Sequence, residues 1–230
     1  MTVKNILVVG ASRGIGKELV LALAKNPAHR VIALSRNVSA MSEAFQAANI
    51  DFYELDLMSE TLSVELNAIL SQYDQIDYAI NNAGRLVNKP FDQLSKQDIL
   101  SCYQVNVMAV METTQCLLPK MLVRGGHIVN ISTIGGFQGS VKFAGLSAYS
   151  TSKAALASFT ELFSEEYKES KISMNCLCLG AAQTEMLAEA FPGYEAPLSA
   201  AQMAEFIADF TLTAHKFLRG KIIPVSLSTP

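Results

Sequence analysis

Tryptophan is absent from this chain, and histidine, cysteine and charged residues are scarce. The 230 residues include three histidines and four cysteines, and 17% of them are charged. The 18 basic residues are outnumbered by 21 acidic ones, which gives a formal charge of -3, and they form no basic block. Nucleic-acid-binding surfaces normally carry clustered lysines and arginines. We therefore predict a small-molecule partner and no nucleic-acid partner.

The chain also lacks a long apolar run. No stretch approaches the roughly 20 apolar residues that a membrane span requires. The first residues lead into a short apolar strand without a signal-peptide cleavage pattern. We therefore expect a cytoplasmic protein without a membrane partner. No linker rich in proline, glycine or serine divides the sequence, so we predict a single domain over residues 1–230.

The cysteines and histidines show no pattern of a disulfide framework or a metal site. The cysteines lie in apolar segments, at Cys102, Cys116, Cys176 and Cys178. This context predicts buried, reduced thiols, as expected in a reducing compartment. The histidines lie far apart in the sequence, at His29, His127 and His215. Their spacing is not that of metal ligands, so we predict no metal site.

Short apolar runs alternate with longer segments of helical periodicity. Strands are predicted at Ile6–Val9, Val31–Leu34, Asp51–Leu55, Ile76–Asn81, Gly126–Ser132, Ile172–Leu179 and Ile222–Val225. Helices are predicted at Ile15–Lys25, Val38–Ala48, Leu62–Ser71, Lys96–Val123, Ala148–Tyr167 and Ala200–Thr213. Strands that are apolar throughout indicate helices on both faces of a parallel sheet. The pattern predicts an α/β fold: a Rossmann-type, doubly wound, mostly parallel sheet of seven strands.

A glycine-rich turn joins the first strand to the first helix. It runs Gly10-Ala-Ser-Arg-Gly14-Ile-Gly16. Glycines allow a backbone to approach a pyrophosphate closely, and the N–H groups and dipole of the following helix stabilise its charge. The position between strand and helix predicts a dinucleotide site, although an ordinary tight turn has the same composition.

Tyr149 and Lys153 lie one helical turn apart in the segment Y-S-T-S-K. At this spacing their side chains share a helix face. A nearby ammonium group lowers the pKa of a phenol from its usual value near 10, so Tyr149 can exchange a proton with a substrate oxygen. A solvated surface pair would have the same spacing. Together with the glycine turn, the pair predicts a nicotinamide-dependent carbonyl reductase.

These motifs, in this order, resemble the short-chain dehydrogenase/reductase family over nearly the whole chain. The glycine turn matches the family's G-x-x-x-G-x-G, Asn81-Asn82-Ala83-Gly84 its N-N-A-G segment, and Tyr149-x-x-x-Lys153 its catalytic pair. The resemblance also implies that Asp56 contacts the adenine. It implies cofactor contacts at Gly10, Ser12, Arg13, Gly14, Ile15, Gly16, Ser35, Arg36, Asp56, Leu57, Asn82, Ala83, Gly84, Tyr149, Lys153, Gly180, Ala182 and Thr184.

Two roles that the resemblance implies remain open between alternatives. The hydroxyl that orients the substrate carbonyl is assigned to Thr133, with Ser132 as the alternative, because each has a glycine three residues later. Both side chains can donate and accept hydrogen bonds. Asn106 matches the family's catalytic asparagine and either anchors a proton relay or braces the backbone.

The end of the second predicted strand indicates which cofactor binds. An NAD enzyme usually places a carboxylate there, and this chain has Ser35-Arg36-Asn37 instead. Arg36 and Arg13 can hold a 2′-phosphate by charge-assisted hydrogen bonds. We therefore predict NADP(H) rather than NAD(H), while two exposed surface arginines would give the same sequence.

A short substrate lid is expected near residues 185–198, after a segment ending in Thr184 that resembles the family's P-G-x-x-x-T with Leu179 in place of proline. Its apolar and aromatic residues suggest an apolar ligand.

The family's long paired helices imply a homodimer or homotetramer, here through Lys96–Val123 and Ala148–Tyr167.

The rival interpretation of the whole chain is a non-catalytic dinucleotide sensor or scaffold with the same fold.

Overall fold

The computed structural model describes residues 3–227, apart from the side chains of residues 40, 42 and 44. Seven strands form one sheet in the order β3-β2-β1-β4-β5-β6-β7, and every neighbouring pair is parallel. The strands are β1 Lys4–Val9, β2 His29–Ser35, β3 Ile50–Glu54, β4 Tyr78–Asn81, β5 Gly126–Thr133, β6 Ile172–Leu179 and β7 Ile222–Val225. The predicted doubly wound sheet is confirmed.

Helices cover both faces of the sheet. They are α1 Gly14–Ala24, α2 Val38–Ala44, α3 Leu62–Leu70, α4 Lys96–Tyr103, α5 Ala109–Met121, α6 Ser147–Glu166, α7 Glu185–Ala190 and α8 Ala200–Thr213. Successive residues of β1 point to opposite faces, so Ile6 joins the core under α1 and α8, whereas Leu7 joins the core under α3 and α5. Burial on both faces explains why the strands are apolar throughout.

Two predicted helices differ from the observed ones, and one observed helix was not predicted. The segment predicted as one helix, Lys96–Val123, is divided by the π-helical turn Gln104–Met108. Helix α2 ends four residues before the predicted Ala48, where Phe45 turns into the core and the chain turns to enter β3. Helix α7 lies in the segment predicted only as a lid, and the hydroxyl of Thr184 caps it by accepting from Leu187 N at 3.2 Å. Helical periodicity does not reveal a π turn or so short a helix.

Among the described residues, a cleft of about 820 Å³ lies at the amino ends of the strands. Its polar walls contain none of the predicted site residues. Within residues 3–227, no helix is long and apolar enough to cross a membrane. All four cysteines are buried free thiols, as predicted.

Candidate active site

The candidate site is a cavity of about 470 Å³ at the carboxyl ends of the strands. It runs from the glycine turn after β1 to the start of α6, and it crosses the place where the strand order reverses between β1 and β4. Ligands of open α/β sheets bind at this kind of switch point. All of the predicted site residues line the cavity except Gly16 and Asn106, which lie behind its wall.

The glycine turn has its shape because two of its positions leave no space for a side chain. Gly10 has φ +87°, and a Cβ there would lie 2.6 Å from Ala83 Cα. A Cβ on Gly16 would lie 1.9 Å from the carbonyl oxygen of Gly10. That oxygen accepts a hydrogen bond from Asn82 Nδ2 at 2.9 Å, which ties the turn to the segment after β4.

The amino end of α1 offers unpaired backbone donors to the cavity. Arg13 is the N-cap residue, and among the described residues its side chain makes no capping hydrogen bond. The first turn, Gly14 to Lys17, has no acidic residue that would compete for the N–H groups. Uncapped N–H groups and the positive end of the helix dipole suit a phosphate anion. The residues present therefore fit the pyrophosphate of a dinucleotide.

The cavity carries positive charge at the end of β2. Arg36 is exposed there and lines the cavity beside Ser35, and Arg13 approaches from the glycine turn. The guanidinium of Arg13 forms an ion pair with Glu189 of α7, with Nη1 3.0 Å from Oε1. Asp56 is exposed on the rim and accepts a hydrogen bond from Met58 N at 3.0 Å. The arginines fit a 2′-phosphate better than a free ribose hydroxyl.

Tyr149 lies at the other end of the cavity, in the first turn of α6, beside Thr133. Burial raises the pKa of Tyr149 to about 12, while a hydrogen bond with the Thr133 side chain acts in the opposite direction. Ser132, the neighbouring strand residue, donates its hydroxyl to the carbonyl oxygen of Lys153 at 2.9 Å, so it is bonded to the backbone of α6. The geometry thus places the hydroxyl of Thr133, and not that of Ser132, next to the phenol.

Lys153 is 2% exposed and lies one turn after Tyr149 in α6. Its ammonium group donates to the carbonyl oxygens of Ile131 at 2.7 Å and Ala83 at 3.4 Å. Burial lowers the pKa of Lys153 to about 8. The lowering of the Tyr149 pKa by Lys153 stays a prediction, since burial is the largest influence on that pKa and raises it.

Asn106 lies in the π-helical turn and is fully buried. Its side chain accepts from Arg85 N at 2.8 Å and donates to Arg85 O at 3.0 Å. The second amide hydrogen goes to Ser152 Oγ at 2.9 Å. Both donors are therefore engaged in joining the segment after β4 to α6. These contacts are those of a backbone brace, and π-helical turns often occur where a side chain must be placed at a functional site.

Helix α7 covers the cavity between the glycine turn and the substrate end. The Phe191 ring, just after α7, contacts the Phe143 ring edge-on at a centroid distance of 5.9 Å. Asn88 donates to the carbonyl oxygen of Ala190 at 2.8 Å. The carboxyl end of α7 is therefore attached to Asn88 and Phe143, and the two phenyl rings form an apolar part of the wall of the cavity that Tyr149 also lines.

Comparison with known proteins shows to which family this chain belongs. The family model described as short chain dehydrogenase matches residues 4–195. This chain is a member of the short-chain dehydrogenase family. The resemblance drawn from the glycine turn, the N-N-A-G segment and the tyrosine–lysine pair is confirmed.

Individual relatives are consistent with this membership. The chain is 36% identical over 195 residues to Ketoacyl reductase HetN of Nostoc sp., covering 81% of this chain but only 66% of the relative. It is 33% identical over 192 residues to 3-oxoacyl-[acyl-carrier-protein] reductase FabG of Aquifex aeolicus, covering 80% and 76%. A short chain dehydrogenase from Escherichia coli CFT073, solved in complex with NADPH, superposes with a TM-score of 0.87 at 27% identity, covering 97% of each chain.

Sequence reasoning missed two contributors to the site of this short-chain dehydrogenase. Ser152 is fully buried, and its hydroxyl accepts from Asn106 and donates to the carbonyl oxygen of Tyr149 at 2.7 Å. Glu189 reaches the glycine turn from α7. The serine inside Y-S-T-S-K was visible but not distinctive. The position of Glu189 depends on a contact between residues 176 apart in the sequence, for which no local pattern exists.

Proposed function

We propose that this short-chain dehydrogenase reduces a ketone or an aldehyde with NADPH, or oxidises the matching alcohol. The observation that carries the proposal is the meeting of Tyr149, Thr133 and Lys153 at one end of a cavity whose other end is the glycine turn. A bound NADPH would supply a hydride to the carbonyl carbon. The chain itself must then supply a proton to the oxygen and keep water away from the reaction.

In this mechanism Tyr149 is the proton donor. A pKa near 12 keeps the phenol protonated at neutral pH, which is the state that reduction of a carbonyl requires. The Thr133 hydroxyl is placed to hold the same substrate oxygen. The buried ammonium of Lys153 stabilises negative charge that develops on that oxygen and on Tyr149 as the proton leaves. Asn106 and Ser152 hold α6 against the segment after β4, so they act as positioning residues.

Several observations support NADP(H) as the cofactor of this mechanism. The glycine turn and the uncapped end of α1 suit the pyrophosphate, and Arg13 and Arg36 suit the 2′-phosphate. The Escherichia coli structure with the same fold is an NADPH complex. In the proposed assignment, Thr184 and the backbone of Ala182 hold the carboxamide end of the cofactor.

For the substrate, we propose a carbonyl compound with an apolar portion. Phe143 and Phe191 form the apolar wall near Tyr149. The ketoacyl and 3-oxoacyl reductases among the relatives make 3-oxoacyl thioesters the first compounds to test. The enclosed aromatic wall favours an acyl or aryl chain over a small hydrophilic carbonyl compound.

The decisive experiment is the substitution Tyr149→Phe. We expect NADPH affinity to stay within about twofold, because the phenyl ring is kept, whereas carbonyl reduction falls by about 100-fold or more with the loss of the proton donor. Fluorescence titration with NADPH and NADH measures binding, and NADPH oxidation with 3-oxoacyl and aryl ketones measures turnover.

The outcomes of this experiment separate the enzyme from its rival, a non-catalytic dinucleotide sensor or scaffold. A wild-type protein that binds NADPH but oxidises it with no carbonyl compound would support the sensor. Binding of NADH in preference to NADPH would remove the role of Arg13 and Arg36 while keeping the reductase. The rival gives no chemical reason for a phenol, a hydroxyl and an ammonium group to meet at the end of the cavity.

A further inference from the structure

Helix α7 places two carboxylates on the phosphate-binding turn. Glu185 and Glu189 are four residues apart, so their side chains share one face of the helix. Glu189 Oε1 lies 3.0 Å from Nη1 of Arg13. Glu185 Oε2 lies 3.4 Å from the point where a Cβ on Gly14 would be. The acidic face of α7 thus contacts the residues to which the proposed function assigns the anionic groups of the cofactor.

We infer that Glu185 and Glu189 are counter-ions that the cofactor displaces, and that Glu189 determines the affinity for the 2′-phosphate in particular. The inference rests on the proposed NADPH site. A 2′-phosphate on Arg13 would bring a second negative charge beside the carboxylate of Glu189, and two like charges near one guanidinium repel each other. NADH carries no 2′-phosphate and leaves the pair between Arg13 and Glu189 intact.

Because Arg13 and Glu189 are exposed, replacing Glu189 by the 2′-phosphate costs little free energy. The side chains of Arg13 and Glu189 are 54% and 65% exposed, so water and salt screen their attraction. A phosphate can form a bidentate contact with a guanidinium group, whereas Glu189 contacts Arg13 through Nη1 alone. The other attachments of the lid, from Asn88 to Ala190 O and from Phe143 to Phe191, do not involve Arg13. Displacement of Glu189 would therefore break its ion pair with Arg13 while the attachments of Ala190 and Phe191 remain.

Three charge-neutralising variants test the inference by fluorescence titration at low salt. Glu189→Gln should raise NADPH affinity about threefold and leave NADH affinity unchanged, since an exposed pair contributes little. Glu185→Gln should raise both affinities by the same factor, because both cofactors contain the pyrophosphate. Glu195→Gln makes the same charge change at an exposed position outside the cavity wall and should alter neither.

A double-mutant cycle with Arg13→Gln separates this inference from the proposed function. Arg13→Gln alone should lower NADPH affinity about tenfold and spare NADH. In that background Glu189→Gln should have no further effect, because the guanidinium for which it competes is gone. If Arg13→Gln leaves the ratio of the two affinities unchanged, the proposed 2′-phosphate site itself is wrong.

Two other results would overturn the inference while keeping the phosphate site. One is a fall in NADPH affinity for Glu189→Gln, which would show that the carboxylate orients Arg13 for the phosphate. The other is an equal gain for NADPH and NADH, which would reflect the general charge of the lid. High salt should reduce the gain from Glu189→Gln, since screening weakens the competing ion pair in the wild type.

Discussion

At the scale of single residues, contacts with α6 distinguish the two neighbouring hydroxyls that the sequence could not separate. Ser132 and Thr133 both follow the apolar part of β5, and each has a glycine three residues later. Both side chains contact α6, but Ser132 reaches the backbone of Lys153 and Thr133 reaches the phenol of Tyr149. Ser132 is 3% exposed and bonded to the backbone of α6, while Thr133 faces the cavity with Tyr149.

Kinetics of two alanine variants should show this difference. Thr133→Ala should lower kcat by about 100-fold, the effect of losing one donor to a developing oxyanion. Ser132→Ala should lower kcat by less than about fivefold but cost about 1 kcal/mol of stability, because it removes a buried hydrogen bond to Lys153 O. Steady-state assays and urea unfolding of both variants measure these effects. The reverse order of the two kcat values would assign the role to Ser132.

The buried ammonium of Lys153 links the site to stability. Its pKa is lowered to about 8, so between pH 8 and its unfolded value near 10.5 the unfolded chain binds more protons than the folded one. Stability therefore rises with pH across this window, and below it the charge costs about 3 kcal/mol. The free energy of unfolding thus contains a penalty that is present at neutral pH.

Lys153→Met should remove that penalty together with the activity. We expect the variant to be about 1–2 kcal/mol more stable than the wild type at pH 7, because the lost hydrogen bonds to Ile131 O and Ala83 O offset part of the gain. The difference should shrink as the pH approaches 10. Urea unfolding at the two pH values measures it, with Lys171→Met at an exposed position as the control. A difference that does not change with pH would contradict the buried charge.

At the scale of elements, the spacing of apolar residues predicted nearly every strand and helix. Where the predicted helices differ from the observed ones, the difference has a physical cause. The π-helical turn keeps the apolar pattern of α4 and α5 almost continuous, so the sequence showed one helix. This turn places Asn106 where its side chain can bond to both Arg85 and Ser152. Helix α7 has six residues, too few to show a period, and it is stabilised by the Thr184 cap and contacts with distant segments.

The glycine turn shows what local sequence can predict at this scale. Gly16 follows from the motif because any side chain there would collide with Gly10 O inside the same turn. Gly10 is different, since its neighbour is Ala83, in the segment after β4. Both glycines belong to the motif that the sequence shows. Only the structure shows that Gly10 must be glycine because Ala83, in the N-N-A-G segment, lies against it.

At the scale of the whole molecule, the predicted dimer has an apolar surface that could form it. Leu100 of α4, Met108 of the π-helical turn and Leu162 of α6 are 50%, 51% and 68% exposed. The helices are those through which the family resemblance implies pairing. Apolar residues on adjacent helices indicate an interface more strongly than single exposed residues do.

Light scattering at micromolar concentration should therefore show a dimer or tetramer. Leu162→Glu should lower the measured mass towards that of the monomer, because a carboxylate would be buried without a partner. Val64→Glu on α3, where the side chain is also 68% exposed, provides the matched control and should leave the mass unchanged. A monomeric wild type would contradict the predicted assembly.

The sequence by itself determined the order of strands and helices, the family and the glycine turn, and it predicted the tyrosine–lysine pair. These follow from periodicity and from motifs whose residues are neighbours in the chain. The tertiary structure decided what depends on separate segments meeting: the contact of Thr133, rather than Ser132, with the phenol of Tyr149, the bracing contacts of Asn106, the raised pKa of Tyr149 and the pairing of Arg13 with Glu189. Burial and contact between residues distant in sequence set these properties, and a linear pattern records neither.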